Sequence, residues 1–146
     1  MPTNTTLKVH FHFLKGVSSL SDRTRLKSFI ASLFKKEKRA LGEISYIFCS
    51  DDYLLAINRQ HLQHDYYTDI ITFSLSDPGQ PIQAEVYISI DRIKDNARQF
   101  NTPIKEELHR VIFHGALHLC GYRDKKTEDQ KLMRKMEDKY LRSYFK

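Results

Sequence analysis

The sequence predicts an α+β fold, a four-stranded mixed sheet with about five helices packed on it. Three observations point there. Four short segments alternate or run apolar with β-branched and aromatic residues, as strands do. Longer segments repeat apolar residues at helical spacing. The strand and helix patterns interleave without repeats, low-complexity tracts or an interdomain linker, so the 146 residues read as one domain, 1–146, with enough chain for a core.

In chain order, Leu7 to Leu14 (LKVHFHFL) is the first expected strand. It sets Lys8, His10 and His12 on one face and Val9, Phe11 and Phe13 on the other. The two histidines are ligand candidates or line the less buried sheet face. Ser21-Asp22 can cap a helix running to about Ala40, with Leu26, Phe29, Ile30, Leu33 and Phe34 inward and a basic outer face. Glu43 to Ser50 is a second strand, and Asp51 or Asp52 can cap a short helix to about Leu62. His61 to Tyr67 reads as a loop and Thr68 to Leu75 as a third strand. The turn-rich SDPGQP leads into a fourth, Gln83 to Ile90, so the last two strands form a hairpin. Asp91 begins a helix to about Phe100. Thr102 as cap and Pro103 in the first turn open the next, which carries Ile104, Leu108, Val111, Ile112 and Leu119 toward the core. Glu128 to about Tyr144 closes the chain as a helix with Leu132, Met136, Tyr140 and Leu141 inward.

The chemistry concentrates in His114 to Asp124, HGALHLCGYRD. Histidines four apart on a helix lie on one face, a turn apart, where both can reach one ion. Gly121 can end the helix in a left-handed conformation that other residues resist, and the chain then turns back to deliver Asp124. Two imidazoles and a carboxylate make a three-ligand site, His114, His118 and Asp124, at the end of a central helix. Its fourth position stays open for water, as catalytic zinc requires. The competing structural reading is a pair of solvated or core histidines. Cys120, two residues past His118, should point away from that face and pack, and Cys49 lies in an apolar strand; two cysteines are too few for a disulfide framework. Metzincin proteases share the histidine spacing but place a glutamate after the first histidine as general base. Here that residue is Gly115, which cannot move a proton.

HGALHLCGYRD resembles the HGxLHLxGYxH motif of the YbeY family, metal-dependent endoribonucleases implicated in ribosomal RNA maturation and ribosome quality control. TDIITF at Thr68 to Phe73 and AEVYIS at Ala84 to Ser89 resemble that family's TD(V/I)LSF and GDIxIS segments. The resemblance spans roughly residues 45 to 125. It implies a zinc-dependent endoribonuclease acting on single-stranded ribosomal RNA, with one zinc per chain and RNA or a ribosomal subunit as partner. The chain departs from the pattern at three places. Asp124 stands where the family most often has histidine, Ala84-Glu85 replaces the Gly-Asp pair, and the family arginine before the TD segment falls on Leu62. Arg59, three residues earlier on the same short helix, is a candidate substitute, and Arg123 beside Asp124 is another. Glu85 is a candidate proton acceptor or support for the metal ligands, or else a structural ion-pair member. His64 and Asp65 are candidates for substrate binding or proton transfer, and Asp69 for capping or ordering the backbone at the strand start.

The formal charge of +6 and pI near 9.3 suit a polyanionic partner. The polar start MPTNTT lacks the basic and apolar regions of a signal peptide, and no apolar run reaches membrane-span length, so a soluble cytoplasmic protein is expected. Two other readings compete: an amidase or protease, and a ribosome-binding factor whose metal is structural.

Overall fold

The computed structural model describes residues 8–14 and 20–146. Leu7, placed above in the first strand, and the MPTNTT segment lie outside the described residues. The elements are β1 (Val9–Phe13), α1 (Arg23–Lys36), β2 (Leu41–Cys49), α2 (Asp51–Leu62), β3 (Ile70–Ser74), β4 (Ile82–Ser89), α3 (Ile90–Phe100), α4 (Ile104–Leu119) and α5 (Thr127–Tyr144). The sheet order is β1-β2-β4-β3. β1, β2 and β4 run parallel, and β3 returns antiparallel on β4 with Thr72 opposite Val86, the expected hairpin. The fold class is therefore as the sequence predicts, with a mixed sheet and five helices.

The period of two along each strand divides the sheet faces. Ile44, Tyr46 and Phe48 of β2 and Ala84, Val86 and Ile88 of β4 are buried in one core with Val9 and with residues of α1, α4 and α5. The opposite face carries a smaller apolar cluster, Cys49, Leu54 and Ile71, beneath α2. The main core is where α4 lies: Ile112, Phe113, Ala116 and Leu117 are almost fully buried against the sheet and its neighbouring helices. Tyr46 donates its hydroxyl hydrogen to the Ile112 carbonyl at 3.3 Å, tying the helix to the central strand.

The helix ends differ from the expected ones for local reasons. Ser50 and Ser89 cap α2 and α3, accepting from the amides of Tyr53 and Arg92. The adjacent Asp51 is otherwise engaged, accepting from the Ser89 hydroxyl at 2.8 Å and the Arg92 guanidinium at 2.6 Å. Asp22 precedes α1 in a left-handed conformation with no side-chain cap bond. That helix stops at Lys36 rather than near Ala40, because Lys38 takes a φ of 60° that a continuing helix cannot accommodate. Pro103, not Thr102, is the cap residue of α4, and the Thr102 hydroxyl is buried without a partner. Ile104 and Leu132, both expected inward, are 50% and 47% exposed. On α5 it is Met133 that is buried.

Candidate metal centre

The first turn of α4 carries Glu106 and Glu107, whose charges favour the positive end of the helix dipole. It ends in the turn that Gly121 permits. Gly121 has φ +108°, and its amide donates to the His118 carbonyl at 3.0 Å while the Tyr122 amide donates to the Leu117 carbonyl at 3.1 Å. This paired pattern is the Schellman ending, and it reverses the chain so that Asp124 faces back toward α4. Arg39 holds the same turn from outside, donating from Nε to the Cys120 carbonyl at 3.1 Å.

Both histidines sit on the face the spacing assigns them. His114 is held at each ring nitrogen. Nδ1 donates to Glu137 Oε2 of α5 at 2.7 Å, and Nε2 lies 3.1 Å from Asp124 Oδ2. Burial disfavours charge on this ring, but the Glu137 hydrogen bond and the charges of Glu137, Asp124 and Asp69 outweigh it, and the net effect raises the His114 pKa. His118 pairs Nδ1 with the Tyr122 carbonyl at 3.2 Å. Tyr122 is in turn fixed through its hydroxyl, which donates to Glu37 Oε1 at 2.8 Å. In each ring Nδ1 is engaged by a supporting acceptor, which fixes the tautomer and leaves Nε2 as the nitrogen that could bind an ion. Among the described residues no three His, Cys, Asp or Glu side chains are drawn into one ion-holding cluster; Asp124 and His114 bond to each other instead. The three residues line one cleft of about 290 Å3 together with Asn58, Leu62, Thr72 and Lys125.

The family model for Endoribonuclease YbeY matches residues 15–145. The chain belongs to the YbeY family. Proteins named Endoribonuclease YbeY from Cytophaga hutchinsonii and Bacteroides fragilis are similar to it. The first is 50% identical over 122 residues, 84% of this chain and 85% of that one, and the second 54% over 105 residues, 72% and 74%. The solution structure of TM1509 from Thermotoga maritima superposes with a TM-score of 0.60 at 27% identity, covering 92% of this chain and 89% of that one. The YbeY match thus reaches beyond residues 45 to 125, where the motifs lie.

Against the YbeY pattern, the structure gathers some candidates and separates others. Leu62, at the family arginine position, lines the histidine cleft. Arg59 does not; it is well exposed and paired with Asp65. Glu85 is across the sheet. Since Val86 faces Gly115 of α4, its neighbour Glu85 must face the other way. There it accepts from the Tyr87 hydroxyl at 3.2 Å and lines a separate cavity of about 430 Å3 with Tyr53, Ile57 and Phe73. Glu85 is therefore not brought to the histidines, and the strand alternation already contained that answer. Arg123 lines a different hollow with Arg39 and Lys126. His64 lines the YbeY cleft. Cys120 packs in the core, its thiol pushed up to about 12 by burial and then by Glu37.

Two acids near His114 carry more than the sequence indicated. Asp69 accepts from Asn96 Nδ2 at 3.3 Å, and burial raises its pKa while His114 opposes the rise. Glu137 is 6% exposed and bridges His114 to Arg110 Nη1, the latter at 3.0 Å. Its signal was available: Glu137 sits on the buried stripe of α5 with Met133, Tyr140 and Tyr144, where an unpaired carboxylate would be costly.

Proposed function

We propose that this chain is an endoribonuclease that hydrolyses phosphodiester bonds in single-stranded RNA, with His114, His118 and Asp124 holding one zinc ion. The observation that carries this reading is the pair of α4 imidazoles, each secured at Nδ1, facing a cleft shared with the Asp124 carboxylate, in a chain of the YbeY family. The residues fit a divalent cation. Asp124 Oδ2 already faces His114 Nε2, so a cation between them would take the place of a proton. Two neutral imidazoles and one carboxylate form an ordinary catalytic zinc donor set. When bound, zinc would polarise the phosphodiester and lower the pKa of a coordinated water.

The protein's own part is positional. Glu137 and the Tyr122 carbonyl orient the rings, and Lys125 brings positive charge to the cleft where a phosphate would lie. The amidase or protease reading is disfavoured, because Glu85, the carboxylate base that the sequence offered for it, lies across the sheet. The relatives' names, Endoribonuclease YbeY, support RNA as substrate. Ribosomal RNA maturation and ribosome quality control in the cytoplasm are the setting we infer, with the chain's basic charge suited to such a partner. No helix of the described residues is long and apolar enough to cross a membrane.

Elemental analysis of protein purified without a histidine tag tests the site. The expected result is about one zinc per wild-type chain, lost in His114→Ala. Wild-type protein that carries no metal and takes up none on addition of zinc, nickel or manganese would overturn the reading, leaving a ribosome- or RNA-binding domain.

A further inference from the structure

Next to the histidines, the 63–67 loop presents aromatic rings that the core does not use. Tyr66 is 56% exposed. The His64 ring stacks on it with centroids 5.2 Å apart and planes 19° from parallel, and His64 Nδ1 lies 3.0 Å from the Tyr66 hydroxyl. Both residues line the cleft with His114, His118, Asp124 and Lys125. Backbone and side-chain hydrogen bonds tie the loop to α2. Gln63 ends α2 in a left-handed turn, the His64 amide donates to the Asn58 carbonyl at 3.1 Å, and the fully buried Asn58 side chain donates to the Tyr66 carbonyl at 2.9 Å. Arg59 of α2 pairs with Asp65 of the loop at the surface.

We propose that the His64–Tyr66 stack is a nucleobase platform that holds one unpaired base of the RNA beside the scissile phosphate. The inference rests on the endoribonuclease reading and assigns residues to its choice of single strands. His64 covers one side of the tyrosine ring, and a base adding to the other side extends a stack that already exists. Because the loop is ordered beforehand, little conformational freedom is lost on binding. Lys125, on the same cleft, meets the adjoining phosphate. A duplex cannot use the platform, since its bases offer their faces only to one another; a single strand can splay a base onto it.

The test measures binding and quenching with a short single-stranded RNA carrying 2-aminopurine, its integrity followed on a gel. Tyr66→Ala should weaken binding about fivefold or more and abolish the quench, while Tyr66→Phe retains both. Tyr53→Ala, exposed on the other sheet face, should behave as wild type, and the same sequence as a duplex should bind more weakly to wild type. Circular dichroism checks that the variants fold. Wild-type affinity and quench in Tyr66→Ala would overturn the platform, and so would an equal loss in Tyr66→Phe, which would assign the effect to the hydroxyl. If Tyr66→Ala binds like wild type while wild type still cleaves RNA, the platform alone fails; if wild type neither binds nor cleaves, both readings fail.

Discussion

Glu137→Gln is the substitution that probes the support of the site most closely, because the two side chains have the same shape and differ in charge and in what they can donate and accept. Glu137 gives one carboxylate oxygen to His114 Nδ1 at 2.7 Å and the other to Arg110 Nη1 at 3.0 Å. A glutamine has one acceptor oxygen and one NH2. Arg110 only donates, so the oxygen must face it, and the NH2 then faces His114 Nδ1. That forces the proton of a neutral ring onto Nε2, the atom directed at Asp124. Arg110 keeps Asp138 at 2.7 Å, so its charge is not left alone. With the His114 and Glu137 side chains only 22% and 7% exposed, the loss of the charge-assisted hydrogen bond between them should cost about 1.5–3 kcal/mol. At a urea dependence of about 2 kcal/mol per molar, the unfolding midpoint of metal-free protein should fall by about 1 M. Zinc affinity, measured by competition with a chromophoric chelator, should fall about 10- to 100-fold. A variant with the wild-type midpoint and affinity would refute this reasoning. Lost stability with unchanged affinity would refute the role at His114 and leave Glu137 as an anchor for Arg110 alone.

Four further outcomes follow from the same geometry. A Cβ at Gly115 would lie 3.0 Å from Ile70 Cδ1 and 3.1 Å from Val86 Cγ1; Gly115→Ala should therefore change urea stability by no more than about 2 kcal/mol, crowding offsetting its better helix propensity. Gly115→Glu should lose most of the stability and gain no peptidase activity, and a stable, well-folded variant would contradict the packing described. Gly121→Ala, at φ +108° with Arg39 Nη2 3.1 Å from the added carbon, should cost about 1–3 kcal/mol in the same assay and weaken zinc binding, whereas unchanged values would show that Asp124 does not depend on that turn. His109 is buried, with Nδ1 2.7 Å from the Lys105 carbonyl and Nε2 unpartnered, and burial lowers its pKa below 6.5. The unfolded chain binds this proton more readily than the folded one, so the associated stability is present above about pH 6.5 and is lost as pH falls through the folded value. His109→Phe should accordingly show a smaller drop in melting temperature than wild type between about pH 7 and about pH 5, and equal drops would refute the assignment.

The strands, helices and histidine face were legible because each rests on a short-range period. His114, Gly121 and Asp124 illustrate this: helical spacing fixes the imidazole face, and one glycine fixes the reversal that returns the carboxylate. What could not be read depends on partners distant in sequence. Ser50 rather than Asp51 caps α2 because Asp51 is bound to Ser89 and Arg92, about forty residues on. Glu137 had a legible place on α5, but its partner did not, because it reaches His114 only once α5 packs on α4. Glu85 is a different failure. Its motif position made it a candidate, while the alternation of its own strand, with Val86 toward α4, already directed it to the far face. Leu132 and Met133 show a third kind, in which a one-residue phase error on a helix exchanges an exposed side chain for a buried one.

The central claim meets its most direct test in cleavage of a defined single-stranded RNA by zinc-loaded protein, with products resolved by length. Internal cuts by the wild type are expected, lost on chelation and in Asp124→Ala. Intact RNA with zinc-loaded wild type, or cutting by Asp124→Ala at the wild-type rate, would contradict it.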